Sequence, residues 1–512
     1  MPGLRSILSL APALIVAGCA AGPNYHRPEM HPPAQFVAGP ATVVATTSAT
    51  PAADYASWWH ALQDPVLDSL VERAVQANPD VEIALSRLQA ARTYEAGLTS
   101  VVLPIGEASA GGGRGTGSDL ARGRASQTLI SADNSHGLTQ INALGGFDAV
   151  WELDLFGRYR REIQAAHFDT EAAAAARSEV LVTVIADVTR AYVDLRGLQM
   201  QAAVLRSAVT ALDEAHRIAD IRYQRGITNE LDSTLAAREL ATVQASLAPV
   251  EAQVSAAQYT IAVLLGEYPE QMAAELSVPA VVPDVPAAVA PGVPVDLLRR
   301  RPDVRQAEWQ LASATANIGI ATAGLFPRIA ITGAIGAQRQ GYGTTPEIGQ
   351  HVWSAGPAAL WPLLDFGALD AQVEIADLNT HALLVNYRRT IENAVRDVDT
   401  SIAGLGGARE QLARLGDALV ASQRAVTLAN ERYERGLTDY LNVVDAERAE
   451  YTLEVQYAAA QVTLAEQFVA LYRSLGGGWE NYQTLPPRYT PRPAIVAAFQ
   501  RILSRDDPLN TP

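Results

Sequence analysis

Apolar residues recur along this chain in two periods, and the succession of periods occurs twice. From Asp64-Pro65 onward, Leu67, Leu70, Val71 and Ala74 stand at i, i+3, i+4 and i+7, which predicts an amphipathic helix that Asn78-Pro79 ends before a second one begins. After Pro104 the period drops to two. Phe147, Ala149, Trp151, Leu153 and Leu155 alternate with positions that include Asp148, Glu152 and Asp154, so the predicted strand has large apolar groups on one face and acids on the other. Past Gly157 the helical spacing returns with Val180, Val184, Val188 and Leu195. The second round opens with Val295, Leu298 and Pro302, and its strand sets Ile329, Ile331, Gly333 and Ile335 against Ala330, Thr332, Ala334 and Gly336.

The two rounds are copies. Trp151, Leu153, Phe156 and Gly157 match Trp361, Leu363, Phe366 and Gly367 at an offset of 210, as do Arg222, Tyr223, Arg225, Gly226 and Thr228 with Arg432, Tyr433, Arg435, Gly436 and Thr438. Upstream, Pro79, Asp80, Val81 and Pro104 match Pro302, Asp303, Val304 and Pro327 at an offset of 223, so the first copy carries 13 extra residues (223 minus 210) between those points. An insertion confined to one place belongs in a loop tip, and the glycine-rich runs at 111–117 and 341–343 are the expected hairpin tips. Each copy therefore offers two helices, one hairpin and a long helical excursion.

The excursion is unusually long. From Gly157 to Gly226, and again from Gly367 to Gly436, the chain runs 69 residues, about 100 Å if helical throughout. Gly226 and Gly436 mark turns, after which helices return to Gly266 and Gly476, while Gly404, Gly406, Gly407 and Gly416 are expected to interrupt the outgoing helix of the second copy. The expected segments are 64–266 for the first copy with its hairpin at about 104–156, a linker at 267–294, and 295–478 for the second copy with its hairpin at about 327–366. Residues 1–18 precede them as a signal peptide, 19–63 as an extended N-terminal segment, and 479–512 follow as a tail whose Ile495, Val496, Phe499, Ile502 and Leu503 form a short apolar stripe.

The N-terminus changes the reading of the strands. An apolar run from Ile7 to Ala17 follows Arg5 and ends in Val16-Ala17-Gly18-Cys19, a secretory signal with a lipoprotein cleavage pattern. Cys19 is the only cysteine, which points to acylation (an N-acyl and an S-diacylglycerol group) rather than to a disulfide. Ala20 in place of an acid resembles lipoproteins sorted to the outer membrane. No later segment has 18 consecutive apolar residues, so a membrane is crossed by strands or not at all. A soluble half-buried sheet shows the same alternation; the signal, the matching tryptophans Trp151 and Trp361 and the glycine-rich tips favour a barrel wall. Four strands cannot close a barrel, since membrane barrels need at least about eight, whereas three chains supply about twelve.

Charge and chemistry exclude other classes. The formal net charge of −16 argues against nucleic acid as a partner. Eight histidines lack metal-ligand spacing, no cysteine pair exists, and four methionines give no copper-binding cluster, so neither cofactor nor metal is expected and no catalytic motif is present.

Several motifs carry a family resemblance: Pro23-Asn24-Tyr25-His26-Arg27-Pro28, Trp58-Trp59, Asp64-Pro65 with Leu67, Leu298-Arg299-Arg300-Arg301-Pro302-Asp303-Val304-Arg305, Ala323-Gly324-Leu325-Phe326-Pro327, Asp365-Phe366-Gly367, the segment 432–448, and Leu475-Gly476-Gly477-Gly478-Trp479. Together they run through nearly the whole mature chain, which resembles the TolC-like outer-membrane factors of tripartite efflux systems, in their NodT-type lipoprotein branch. The resemblance implies an α+β membrane protein: a homotrimer with a twelve-stranded transmembrane β-barrel, four strands per chain, continuous with a long periplasmic α-helical barrel, and with the linker at its equatorial region. It also implies a passive exit duct without enzymatic activity, anchored by lipid in the outer membrane and projecting into the periplasm. Its expected partners are a periplasmic adaptor and an inner-membrane pump of the resistance-nodulation-division type.

The same resemblance places a periplasmic gate. Leu441, Asp445 and Arg448, at i, i+4 and i+7, would face the pore, with Tyr433 nearby and with Asp232 and Arg238 as first-copy counterparts of Asn442 and Arg448. Asp445 would need Arg448 or another cation beside it. From spacing alone, an exposed Asp-Arg pair on a solvated helix remains open. The alternative for the whole chain is a periplasmic coiled-coil scaffold or adaptor lipoprotein, which explains Cys19 and the long helices but not two hairpins.

Overall fold

The computed structural model describes residues 20–37, 55–116, 139–272, 274–287, 289, 294–342 and 348–484. Cys19 and the apolar stripe from Ile495 to Leu503 lie outside the described residues. The elements are α1 (Pro65–Ala77), α2 (Pro79–Thr99), β1 (Ile105–Thr116), β2 (Thr139–Leu153), α3 (Arg158–Gln224), α4 (Glu230–Leu264) and the short α5 (Pro269–Met272). The second round comprises α6 (Pro294–Arg300), α7 (Pro302–Ala323), β3 (Arg328–Tyr342), β4 (Ile348–Leu360), α8 (Ala368–Glu434) and α9 (Tyr440–Ser474). No helix among the described residues is long and apolar enough to cross a membrane.

The described residues fall into two compact units, one drawn from those within 20–29, 89–173 and 307–387, the other from those within 30–88, 174–306 and 388–484. Neither coincides with a sequence copy, because each copy contributes one hairpin to a shared sheet and its helices to a shared bundle.

The first unit holds a four-stranded antiparallel sheet in the order β1-β2-β3-β4. Register sets Phe147 opposite Ile335 and Ile335 opposite Trp353, so these three share one face, and they are 67%, 65% and 77% exposed. Trp151 and Ile331 continue that row, while the other face carries Glu107 opposite Asp148, with Glu152, Ala330, Thr332, Ala334 and Ser354, and also the apolar Ile105, Val150 and Leu360. Most of the glycine runs expected at the tips lie in strands, residues 111–116 in β1 and Gly341 in β3, while Gly117 and Gly343 are outside the described residues. Close strand packing explains some sheet glycines, since a Cβ on Gly146 would lie 2.8 Å from the Ile335 carbonyl oxygen. The residues beyond, 117–138 and 343–347, are outside the described ones.

The internal duplication is written into hydrogen bonds. The Trp151 indole donates to the Val102 carbonyl at 2.9 Å and the Trp361 indole to the Leu325 carbonyl at 3.1 Å, the two donors 210 apart and the two acceptors 223 apart. The segment 20–27 also packs in this unit. Arg161 donates to the Ala21 and Gly22 carbonyls and to Asn24 Oδ1, Arg27 pairs with Glu308 at 2.7 Å, and Tyr25 meets the Phe168 ring edge-on.

In the second unit Pro65 and Pro79 start helices at positions where no N–H is needed, Asp64 accepts from the Val66 and Leu67 N–H groups, and Asn78 accepts from Asp80 and Val81. Asn78 also donates to the Leu264 carbonyl at 2.8 Å, and its counterpart Arg301 donates to the Ser474 carbonyl at 2.9 Å, so each copy ties its first helices to the end of its last. Trp58 stacks on Tyr472 at 5.3 Å, and Arg305 lies over Trp479.

The expected break in α8 is absent: Gly404, Gly406, Gly407 and Gly416 all lie inside a 67-residue helix. Gly404 instead makes room for a neighbour, since a Cβ there would run into the Gln467 side chain of α9. A glycine costs an isolated helix about 1 kcal/mol relative to alanine, which packing along a long neighbour easily offsets.

Candidate functional site: the helix turns at Gly226 and Gly436

Both long helices end in the same way. Gly226 has φ +71° and Gly436 φ +68°, a left-handed conformation that costs glycine nothing. The Gly226 and Ile227 N–H groups donate to the Tyr223 and Arg222 carbonyls at 2.8 and 2.9 Å, and Gly436 and Leu437 do the same to Tyr433 and Arg432, both at 2.9 Å. These paired bonds are Schellman closures, repeated 210 residues apart. Asn229 then caps α4 by accepting from the Asp232 N–H, and Thr438 accepts from the Asn442 amide at the start of α9. Ile227 and Leu437, one residue past each glycine, are both exposed.

Four helix ends pack behind these turns. Ala219 of α3, Ala236 of α4 and Tyr440, Val443 and Val444 of α9 are buried together, with Ala429 and Tyr433 of α8 against them. Tyr433 stands 5.3 Å from the Tyr440 ring, and Arg222 lies over its face at 4.9 Å. Burial pushes the hydroxyls of both tyrosines above their ordinary range.

Of the expected gate residues, Leu441 and Asp445 lie on the exposed face of α9, opposite Tyr440, Val443 and Val444. Arg448 does not pair with Asp445. It reaches the first copy, where its Nε donates to Glu239 Oε1 at 3.0 Å and its Nη2 pairs with Oε2, while the Tyr451 hydroxyl donates to Glu239 Oε1 at 2.8 Å. Arg238 is exposed at 3.8 Å from the same carboxylate, and Asp232 is half-buried at the first turn of α4. The reason for the change of partner is burial. Glu239 is only 1% exposed, and a buried carboxylate requires a cation, whereas solvated Asp445 does not. The Arg448 guanidinium holds the Glu239 carboxyl below the usual range against its own desolvation, with Tyr451 adding to the effect.

Sequence reasoning missed Glu239, yet a signal was present. Ala236, Glu239, Leu240 and Val243 stand at i, i+3, i+4 and i+7 and are all buried, so an acid occupies a core position of an apolar stripe.

A second charged cluster lies in the same unit. Arg301 is buried, pairs with Asp303 at 2.7 Å and lies 3.6 Å from Asp397. Nearby Glu179 is pushed up to about 7 by burial and by Asp303, with Arg301 and Arg473 opposing.

Comparison with known proteins agrees with this architecture. The family model of the outer membrane efflux proteins matches residues 70–267 and 293–477. Nodulation protein T of Rhizobium leguminosarum bv. trifolii is 28% identical over 474 residues, covering 91% of this chain and 96% of that protein. The probable efflux pump outer membrane protein TtgC of Pseudomonas putida is 29% identical over 477 residues, covering 93% and 96%. Among solved structures, the outer-membrane channel OprN superposes with a TM-score of 0.78 at 32% identity, over 90% of this chain and all of that one.

Proposed function

The chain belongs to the outer membrane efflux protein family, and on that premise we propose that it is the outer-membrane exit duct of a tripartite efflux pump, passing substrates delivered from the inner membrane to the exterior. The observation that carries the reading is the sheet. Phe147, Ile335, Trp353, Trp151 and Ile331 make an exposed apolar row on one face, the acids lie on the other beside Ile105, Val150 and Leu360, and among the described residues β1 and β4 each pair with only one strand. Lipid cannot satisfy an open strand edge, so such a sheet suits a membrane only when copies close it. Three chains supply about twelve strands, enough for a lumen. The acid-bearing face would then line it, which favours passage of cations.

In this reading the helix turns are the regulated end. The inter-copy bond from Arg448 to Glu239 holds α9 against α4, and Leu441 and Asp445 are left on the free face, where three-fold symmetry would bring copies together. The exposed Ile227 and Leu437, each two residues after an arginine, form a duplicated apolar tip suited to a periplasmic adaptor. The adaptor and a pump of the resistance-nodulation-division type are the partners this reading requires. A coiled-coil scaffold would have no use for the four-stranded sheet.

Planar-bilayer recording tests the duct and its gate together. Wild type should show a small, cation-selective conductance. Glu239→Gln with Arg448→Gln removes both charges of the lock and should raise conductance severalfold, whereas Asp445→Asn should weaken cation preference without opening the channel. Replacing Asp445 and Arg448 instead would leave buried Glu239 with only the exposed Arg238 at 3.8 Å as a cation, at a cost of up to about 3–5 kcal/mol, and would confuse gating with misfolding. Absence of conductance from every variant, with assembly intact, would sink the duct reading.

A further inference from the structure

The joints of the sheet repeat to the residue. Adding 223 to β1 and 210 to β2 turns the pair Ile105–Val150 into Arg328–Leu360, which is the pair found where β3 meets β4. Both hairpins therefore keep one register. The joint between the copies, β2 with β3, has no repeat within the chain, because its repeat would set β4 against a β1 and these two strands stand at opposite edges.

The side chains that such a repeat would cover are bare. Phe156, just past β2, stacks on Phe326, just before β3, with ring centres 4.6 Å apart. Their counterparts at the same offsets are Phe366 and Leu103, which are 97% and 63% exposed. The two places correspond in detail, since the Val102 and Leu325 carbonyls beside Leu103 and Phe326 accept the same tryptophan bond. Phe366 also holds φ at +53°, a costly conformation for a residue with a side chain. The strand ends differ in the same sense. β2 runs three residues beyond Val150, its last partner in β1, because β3 pairs it as far as Leu153, whereas β4 stops at Leu360, the counterpart of Val150.

We propose that a second copy of this chain joins β4 in the register of the β2–β3 joint, with Phe366 clasped on Leu103 of the partner subunit. Taking β2 up by 210 and β3 down by 223 turns Val150–Thr332 into Leu360 opposite Ser109 of the partner subunit, and Asp148–Ala334 into Ala358 opposite Gly111 of the partner subunit. Every joint around the closed sheet then has one of two registers, and the head-to-tail contact buries the aromatic at one edge on the aliphatic at the other. The proposal rests on the duct reading, whose closed trimer it supplies with a residue-level joint.

Cysteine pairs in the full chain, extracted in detergent and oxidised, read the register. Ser109→Cys with Leu360→Cys, and Gly111→Cys with Ala358→Cys, should each give reducible three-chain bands on denaturing gels, which neither single variant gives. Gly111→Cys with Leu360→Cys combines the same positions two residues out of step, where the Cβ atoms stand about 7 Å apart, and should leave chains unlinked. The clasp is read by thermal dissociation of the trimer. Phe366→Ser and Leu103→Ser should each lower its midpoint by about 2 °C or more, and the double variant should fall little further than either. Additive shifts, or none, would mean that lipid alone covers the two side chains, and would overturn the clasp. Linkage only in the out-of-step pair would overturn the register while leaving a trimeric duct, whereas a monomer by native mass spectrometry would remove both.

Discussion

Single side chains in this protein are governed by whether burial leaves a charge with a partner. Glu239 and Arg448 show the favourable case, a desolvated carboxylate met by a guanidinium and a tyrosine hydroxyl from another helix. Glu179 shows the opposite balance, since desolvation and Asp303 outweigh Arg301 and Arg473 and raise its pKa to about 7. Its ordinary value in an unfolded chain is about 4.3, so between roughly pH 4.3 and 7 the folded state keeps a proton that the unfolded state has lost. Stability contributed by this group is therefore fully present below the unfolded pKa and declines as pH rises through that window. Thermal unfolding should show wild type losing on the order of 1–3 kcal/mol to this group between pH 4.3 and 7.5, and Glu179→Gln losing correspondingly less. Identical pH profiles for the two proteins would place the Glu179 carboxyl in an ordinary aqueous setting.

At the level of elements, the same closures recur because both copies keep the residues that make them. Gly226, Gly436, Gly266 and Gly476 all have positive φ, and each ends a long helix with the same pair of backbone bonds. Glycines inside the helices obey a different rule. A Cβ on Gly197 of α3 would run into the stiff side chain of Val462 on α9, whereas a Cβ on Gly407 of α8 meets nothing within 4 Å. Gly197→Ala should therefore destabilise the bundle by about 1–3 kcal/mol through overpacking. Gly407→Ala should stabilise it by up to about 1 kcal/mol through helix propensity. Chemical denaturation of the two variants side by side checks the contrast, and a similar sign at both positions would show that helix spacing along these pairs is not set by side-chain contact.

For the whole molecule the decisive property is incompleteness. A sheet with exposed apolar rows and two one-sided edges has no stable solution as a lone chain in lipid. Native mass spectrometry of the detergent-extracted protein should give three chains per particle, each heavier than the polypeptide from Cys19 onward by the mass of a diacylglyceryl and an acyl group. Multiple acyl chains hold a protein to a membrane far more firmly than one. A folded monomer would refute the closed barrel, and a bare cysteine would refute the anchor, each independently of the other.

Much of this architecture was legible without coordinates, because period and spacing are local properties. The change from helical to two-residue alternation located the strands, the offsets of 210 and 223 exposed the duplication, and Asp64, Asn78 and the turn glycines announced helix ends by their own chemistry. Partnerships across hundreds of residues were not legible. That Arg448 chooses Glu239 over nearby Asp445, and that Gly404 of α8 lies against Gln467 of α9 rather than breaking the helix, both depend on which helix faces come together. Desolvation then selects the partner. It is a property of packed helix faces, which the order of residues along one helix does not contain.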